Sequence, residues 1–177
     1  MNLADENKIR PQISLKSVLE SRENPLEVFQ RIALAEPYDF ERLTVSELRL
    51  SVPGFWCHHD ISLSWDKETE LLKLFLLFNE RTPGGRSDDI CRLMSLINER
   101  LTSGHFDYGE KNKALVYRNS FSLRGGAKLK IEQAMDLIAL ALDAAERGYP
   151  ASQYVIWAGK SPEEALSSAL MDLAAHP

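Results

Sequence analysis

Cysteine, histidine and aspartate side chains, which bind metals or support catalysis, follow one another in the run Cys57-His58-His59-Asp60. On a strand, successive side chains point to opposite faces, so His58 and Asp60 share one face while Cys57 and His59 share the other. Further ligands would have to come from residues with no metal-site spacing, namely His105, His176 and Cys91. We therefore predict no metal and no cofactor, and we expect His59 to be hydrogen-bonded inside the core.

Nucleophilic catalysis finds little support in the sequence. There is no Gly-x-Ser-x-Gly motif, and neither cysteine has a histidine and a carboxylate at a spacing typical of a known enzyme family. The acidic pairs Asp88-Asp89 and Glu163-Glu164 stand at predicted helix starts, where capping and the helix dipole explain them. The sequence predicts a protein that is not an enzyme and has no catalytic residues.

Two segments invite comparison with anion sites. Gly159-Lys160-Ser161 ends like a phosphate-binding P-loop, but that motif needs a glycine where Tyr154 stands, and Ser161 is better interpreted as a helix cap. The turn at residues 124–130 brings cations and flexible glycines to a helix start, an arrangement in which anions bind. Its candidate ligands are Arg124, Gly125, Gly126, Lys128 and Lys130. The structural alternative is a strand-to-helix turn with ordinary surface lysines.

Trp56 is the candidate anchor for a protein partner. It is predicted to share a strand face with His58 and Asp60, and that face otherwise carries small polar side chains. An aromatic side chain on a polar sheet face is a common anchor at protein interfaces. The polar face near these three residues is therefore the predicted partner-binding surface.

The elements that position these residues follow from the periodicity of the apolar side chains. Apolar residues recur at helical spacing in some segments and alternate in others. Residues 71–78 are almost wholly apolar, as expected for a central strand covered on both faces. The predicted elements are a helix over 24–35, strands over 44–52, 55–65 and 71–78, a helix over 88–102, strands over 105–108 and 114–123, and helices from 131 and 161. Gly148 and Pro150 are predicted to interrupt the helix that begins at 131.

This order of elements indicates an α+β fold. The strands form an antiparallel sheet of about five strands flanked by helices, in the order α-β-β-β-α-β-β-α(α), because they do not alternate singly with helices. The length of 177 residues suits a single domain over 24–177, preceded by a flexible arm over 1–23.

Composition limits the range of partners. The net charge of −5 opposes binding to nucleic-acid phosphates, so no nucleic-acid partner is expected. The polar N-terminus differs from a secretory signal, and no apolar stretch is long enough to span a bilayer, so we expect a cytoplasmic protein without a membrane partner.

Several local strings are similar to one bacterial family. They are Leu96-Ile97-Asn98-Glu99-Arg100-Leu101, Gly104-His105-Phe106-Asp107, Leu123-Arg124-Gly125-Gly126 and Trp157-Ala158-Gly159-Lys160-Ser161-Pro162-Glu163-Glu164-Ala165-Leu166. Together with the order of elements, they resemble the alphaproteobacterial branch of the YbjN family, whose members are described as sensory transduction regulators. The resemblance covers roughly residues 25–173.

The resemblance implies a fold related to the type III secretion chaperones, often dimeric, with no catalytic residues to carry over. It also implies a regulatory or chaperone-like role. The sequence thus leads to two functional hypotheses. The first is a non-enzymatic homodimer that binds an unidentified protein, with the helix over 88–102 near the dimer contact. The alternative is a sensor that binds a small anionic ligand at residues 124–130.

Overall fold

A computed structural model describes residues 24–78, 82, 85–109 and 113–175. The described elements are α1 (Leu26–Ala35), β1 (Asp39–Thr44), β2 (Glu47–Pro53), β3 (His58–Asp66), β4 (Leu71–Leu77), α2 (Ser87–Asn98), β5 (His105–Gly109), β6 (Ala114–Ser122), α3 (Ile131–Ile156) and α4 (Pro162–Ala175). The predicted α+β class is confirmed. The predicted flexible arm over 1–23 lies outside the described residues.

The strands form one antiparallel sheet in the order β1-β2-β3-β4-β6-β5. The sheet has six strands where the sequence predicts about five, because the strand predicted over 44–52 is preceded by a further one. A tight turn at residues 45 and 46 separates the two: the Ser46 N–H bonds Thr44 Oγ1 at 3.2 Å, and the Arg42 side chain donates to the Thr44 carbonyl at 2.7 Å. No glycine or proline marks this turn, so the strand pattern conceals it.

The two faces of the sheet differ in burial. The covered face packs against the helices and includes the buried side chains Leu48, Leu50, Val52, His59, Ile61, Leu63, Leu72, Leu74, Leu76, Phe106 and Tyr117. The open face points the other way and includes Glu47, Arg49, Ser51, His58, Asp60, Ser62, Ser64, Lys73, Phe75, Leu77, Val116, Arg118 and His105. Of these open-face side chains only Val116 is buried. Alternation along each strand produces this difference.

The long helix α3 runs without a break from Ile131 to Ile156, so the predicted interruption at Gly148 and Pro150 is wrong. Packing explains both residues. A Cβ built at Gly148 would lie 2.7 Å from Phe106 Cζ, so the glycine lets the ring approach the helix. Pro150 has no N–H for the Glu146 carbonyl, and the Trp56 indole N–H donates to that carbonyl instead, at 3.2 Å.

The predicted caps of the first and last helices are present. The Leu26 N–H donates to Asn24 Oδ1 at 3.0 Å. Before α4, Ser161 and Glu164 bond reciprocally, with the Ser161 hydroxyl donating to Glu164 Oε2 at 2.8 Å and the Glu164 N–H donating to Ser161 Oγ at 3.4 Å. The segment 159–161 therefore leads into α4, with Ser161 as the predicted cap.

Candidate functional site

The open face is a polar surface with an apolar centre. Phe75 on β4 is half-buried, and Leu77 two residues further along the same strand is 43% exposed. Ser62 pairs with Phe75 on one side and Arg118 pairs with it on the other, which places the Arg118 Cζ atom 5.6 Å from the centre of the Phe75 ring. Arg118 also forms an ion pair with Asp107 at 3.3 Å. A partner would thus meet an aromatic ring framed by charges.

A cavity of about 420 Å³ opens on this face beside the short edge strand β5. Its lining combines two apolar side chains and one lysine of β4 with polar side chains of β5 and β6: Leu71, Lys73, Phe75, His105, Arg118, Asn119 and Ser120, together with Gly104. β5 pairs with β6 only as far as Arg118, so the last residues of β6 have no strand on that side within the described residues. The cavity therefore borders a backbone edge to which an extended segment could add.

Two of the three predicted partner-binding residues lie on the open face. His58 and Asp60 alternate with the buried His59 and Ile61 along β3, and they pair with Pro53 and Ser51 on β2. His58 is exposed and Asp60 is half-buried. Their shared face agrees with the alternation expected from the sequence.

Trp56 lies apart from that pair. β3 begins at His58, not at Phe55 as the sequence predicts, and residues 55–57 form a bend before it. The half-buried Trp56 ring donates its indole N–H to α3, while the exposed Phe55 packs edge-on against it at 4.7 Å between ring centres. Trp56 thus joins the end of the sheet to the helix layer.

His59 is inside the core, as predicted. Only 3% of it is exposed, and its Nε2 lies 3.2 Å from Glu146 Oε1 on α3. The same carboxylate oxygen accepts the Phe55 N–H at 2.8 Å. Sequence reasoning did not find Glu146, because it stands 87 residues from His59 and carries no motif of its own.

The turn at residues 124–130 already holds side-chain acceptors. Gly125 and Gly126 have positive φ angles of 78° and 79°, and the Gly125 N–H donates to Glu70 Oε2 at 3.2 Å. The Lys130 N–H, next to the start of α3, donates to Gln133 Oε1 at 2.9 Å. Arg124, Lys128 and Lys130 are exposed. An added anion would compete with the Glu70 carboxylate, and the anion site stays a prediction.

Metal and membrane features were searched over the same described part of the chain. It contains no group of three or more histidine, cysteine, aspartate or glutamate residues that could hold a metal ion. No helix in that part is long and apolar enough to cross a membrane. Cys57 and Cys91 are not joined in a disulfide.

A family model whose description is "Putative bacterial sensory transduction regulator" matches residues 25–153, most of the described fold. The chain belongs to the YbjN family. The match begins one residue before α1 and ends inside α3, so it includes the whole sheet. The family resemblance seen in the sequence is confirmed. No curated protein matches the chain.

Two solved structures are similar to this YbjN-family chain. The crystal structure of YbjN from E. coli, described as a putative transcription regulator, is similar over 85% of this chain and 92% of that chain, at 15% identity and a TM-score of 0.46. The crystal structure of the ExsC–ExsE complex is similar over 76% of this chain and 92% of that chain, at 16% identity and a TM-score of 0.44.

The charge state of one open-face carboxyl is set by its local turn. Asp66, at the end of β3, accepts the backbone N–H groups of Thr69 and Glu68 at 3.2 and 3.1 Å. A hydrogen bond from the Thr69 side chain lowers the pKa of the Asp66 carboxyl most. The two backbone hydrogen bonds and the charge of Lys73 lower it further. These contacts therefore favour the charged form of Asp66 at this end of the open face.

The helix predicted to lie near a dimer contact borders an open groove. α2 packs one side against α3, α4 and β5, and the groove of about 670 Å³ between α2 and β5 is lined by Cys91, Met94, Ser95, Asn98, Glu99, Phe106, Asp107 and Tyr108. The Asn98 side chain bonds both the N–H and the carbonyl of Phe106, at 2.7 and 3.1 Å. This pairing satisfies part of the outer edge of β5.

Proposed function

We propose that this YbjN-family protein is a non-enzymatic regulatory or chaperone-like protein of the cytoplasm that binds another protein on the open face of its sheet. The observation that carries the proposal is the half-exposed stripe formed by Phe75 and Leu77 at the centre of a polar sheet face. Exposed apolar side chains rimmed by polar ones are typical of protein interaction sites. The family description as a regulator supports the same class of function.

The proposed surface extends from the stripe to the rim of the sheet. Phe75 and Leu77 would bury apolar side chains of the partner, and Arg118 would supply hydrogen-bond donors beside them. His58 and Asp60 lie toward the hairpin of β2 and β3, and Trp56 stands where that rim meets α3. An extended partner segment could use backbone hydrogen bonds at the β6 edge and place alternate side chains on this surface.

Site-directed photocrosslinking in the native cells tests this placement. A photoreactive phenylalanine analogue at position 75 should give a covalent adduct with one particular protein. The same analogue at Ser167, an exposed position on α4, is the matched control and should give none. Identical adducts from both positions would contradict a partner on the open face.

A charge-introducing variant adds an independent readout. Leu77→Lys should reduce recovery of that adduct by about tenfold, because it places an amine among apolar contacts, while Ser167→Lys should leave recovery unchanged. Trp56→Ala is less suited to this test, since it also removes the hydrogen bond to α3. Retention of full recovery by a folded Leu77→Lys protein would exclude the stripe as the contact.

We also propose a homodimer with α2 close to its contact. The exposed side of α2 and the groove beside β5 are free of other described elements, and Cys91 and Ser95 are exposed there. Light scattering on the purified protein should give twice the 20.0 kDa chain mass. Ser95→Arg should shift the measured mass toward that of the monomer, and Ser167→Arg should not.

A further inference from the structure

Three side chains form a connected group where the start of β3 meets α3, and the proposed partner surface does not use them. Cys57 Sγ lies 3.8 Å from His59 Nδ1, and His59 Nε2 lies 3.2 Å from Glu146 Oε1. The imidazole is buried, whereas Cys57 is half-buried and so within reach of small molecules. A ring with a thiol on one nitrogen and a carboxylate on the other is the arrangement that activates cysteine nucleophiles.

The hydrogen bonds around Glu146 assign the protons of this group. Glu146 Oε1 accepts the Phe55 N–H at 2.8 Å and faces His59 Nε2, so the imidazole carries a hydrogen on Nε2. That leaves Nδ1 to accept the proton of the Cys57 thiol. Glu146 Oε2 is buried and has no hydrogen-bond partner among the described residues, so a positive imidazole compensates this carboxylate best.

A metal ion is a poor alternative occupant. The two ring nitrogens of His59 point in opposite directions, with the Cys57 sulfur beside Nδ1 and the Glu146 carboxylate beside Nε2. A single ion therefore cannot bind all three side chains at once. The group is instead arranged to move the thiol proton onto the ring. The product is a thiolate beside an imidazolium, and the thiolate is the form of cysteine that reacts.

We propose that Cys57 is a reactive thiol that hydroperoxides oxidise to a sulfenic acid. The thiolate sulfur attacks one peroxide oxygen, an S–O bond forms, and the O–O bond breaks. The departing hydroxide or alkoxide takes the proton held on His59 Nδ1. The balance is thiol plus hydroperoxide to sulfenic acid plus water or alcohol, with the sulfur oxidised and the peroxide reduced. One small thiol condenses with the sulfenic acid to a mixed disulfide and releases water. Another thiol then attacks the small-thiol sulfur of that disulfide, which forms a new disulfide and releases Cys57 in its reduced form.

Competitive alkylation of the full-length protein tests the activation, with Cys91 as the internal reference. The reduced protein is treated with iodoacetamide at pH 7, and the rate at each cysteine is followed by peptide mass spectrometry. In a single chain Cys91 is exposed and Cys57 is half-buried, so exposure alone predicts faster labelling of Cys91. Because the proposed dimer contact at α2 would shield Cys91, the rate of Cys57 itself in urea is the second reference, and the folded protein should exceed it. We expect Cys57 to react about tenfold faster than Cys91 in the folded protein, and the two rates to become similar in urea.

Two variants separate activation from folding. His59→Gln should lower the Cys57 rate below the Cys91 rate and leave the Cys91 rate unchanged. Glu146→Gln keeps an oxygen that can accept the Phe55 N–H, and it should lower the alkylation rate of Cys57 several-fold. If His59→Gln disturbs the fold, the Glu146→Gln variant tests the activation in its place. Added hydrogen peroxide with a 1,3-dione trap should label Cys57 in preference to Cys91. Equal or slower reaction at Cys57 in the folded wild-type protein would overturn the proposal.

Discussion

The covered face and the open face of the sheet are built from the same strands, yet they differ in almost every physical property. On β4, Leu72, Leu74 and Leu76 are at most 1% exposed, whereas Lys73 and Phe75 between them are half-buried. The covered face supplies the hydrophobic free energy of folding, because its apolar area is removed from water. The open face contributes less to this free energy, because its side chains stay partly exposed. These side chains are therefore available to contact a partner.

The largest expected contrast between the faces is in stability. Leu74→Ala should lower the free energy of unfolding by about 2–5 kcal/mol, because it leaves a cavity in the core. Lys73→Ala, at the next residue and on the other face, should change it by no more than about 0.5 kcal/mol. Urea denaturation of both variants measures this contrast. Equal losses would mean that the open face is buried against something in the native protein.

The next contrast concerns packing beneath the covered face. Gly148→Ala should destabilise the protein by about 1–3 kcal/mol, although alanine is the better helix former, because the new Cβ would press against the buried Phe106 ring. Ala139→Gly, at an exposed position of the same helix, should cost about 1 kcal/mol through propensity alone. Thermal unfolding compares the two variants. A stabilising Gly148→Ala would show that the ring can move aside.

A smaller effect is expected where the sheet rim meets α3. Trp56→Phe removes the N–H that the Glu146 carbonyl accepts and should cost about 1 kcal/mol. In a Pro150→Ala background the new backbone N–H can take that place, so the cost of Trp56→Phe should fall toward zero. A double-mutant cycle in urea measures the coupling. Additive effects would mean that the indole and the proline act independently.

The smallest expected effects concern how the free energy of unfolding depends on pH, because one group on each face has a shifted pKa and the two shifts have opposite directions. Burial raises the pKa of Tyr117 on the covered face, so its contribution to stability is present below about pH 10 and is lost as the pH rises through its higher folded value. Hydrogen bonds lower the pKa of Asp66 on the open face, so its contribution is present above about pH 4 and is lost as the pH falls further.

Tyr117→Phe and Asp66→Asn check the two directions. In ultraviolet titrations, Tyr117→Phe should remove one of the tyrosines that ionise late, a group that also includes Tyr38 and Tyr154. Asp66→Asn should reduce the loss of stability as the pH falls below about 4. A folded protein whose tyrosines all ionise near pH 10 would contradict the burial of Tyr117.

The sequence determined the elements and the faces of the strands, because these depend on local periodicity. The stripe of α2 formed by Ile90, Leu93, Met94 and Ile97 is buried as predicted, and so are the alternating residues of β2 and β3. The caps at Asn24 and Ser161 were also predictable, since each acts on atoms within three residues. The division between a covered and an open face of β3 follows from the same local information. The prediction that β4 is covered on both faces is wrong, because Lys73 and Phe75 are half-buried and Leu77 is exposed on its open face.

Contacts between residues distant in the chain could not be predicted from the sequence, because they depend on how the elements pack against one another. From the sequence alone, Pro150 and Gly148 are expected to break the helix. In the structure, the Trp56 indole N–H donates to the Glu146 carbonyl that Pro150 leaves without a donor, and the Phe106 ring packs against Gly148. Cys57, His59 and Glu146 become a group only when β3 meets α3. A sequence pattern records neighbours along one element, whereas hydrogen bonds and packing between elements depend on coordinates in space. The helix-breaking residues and the reactive group were therefore beyond what periodicity could reveal.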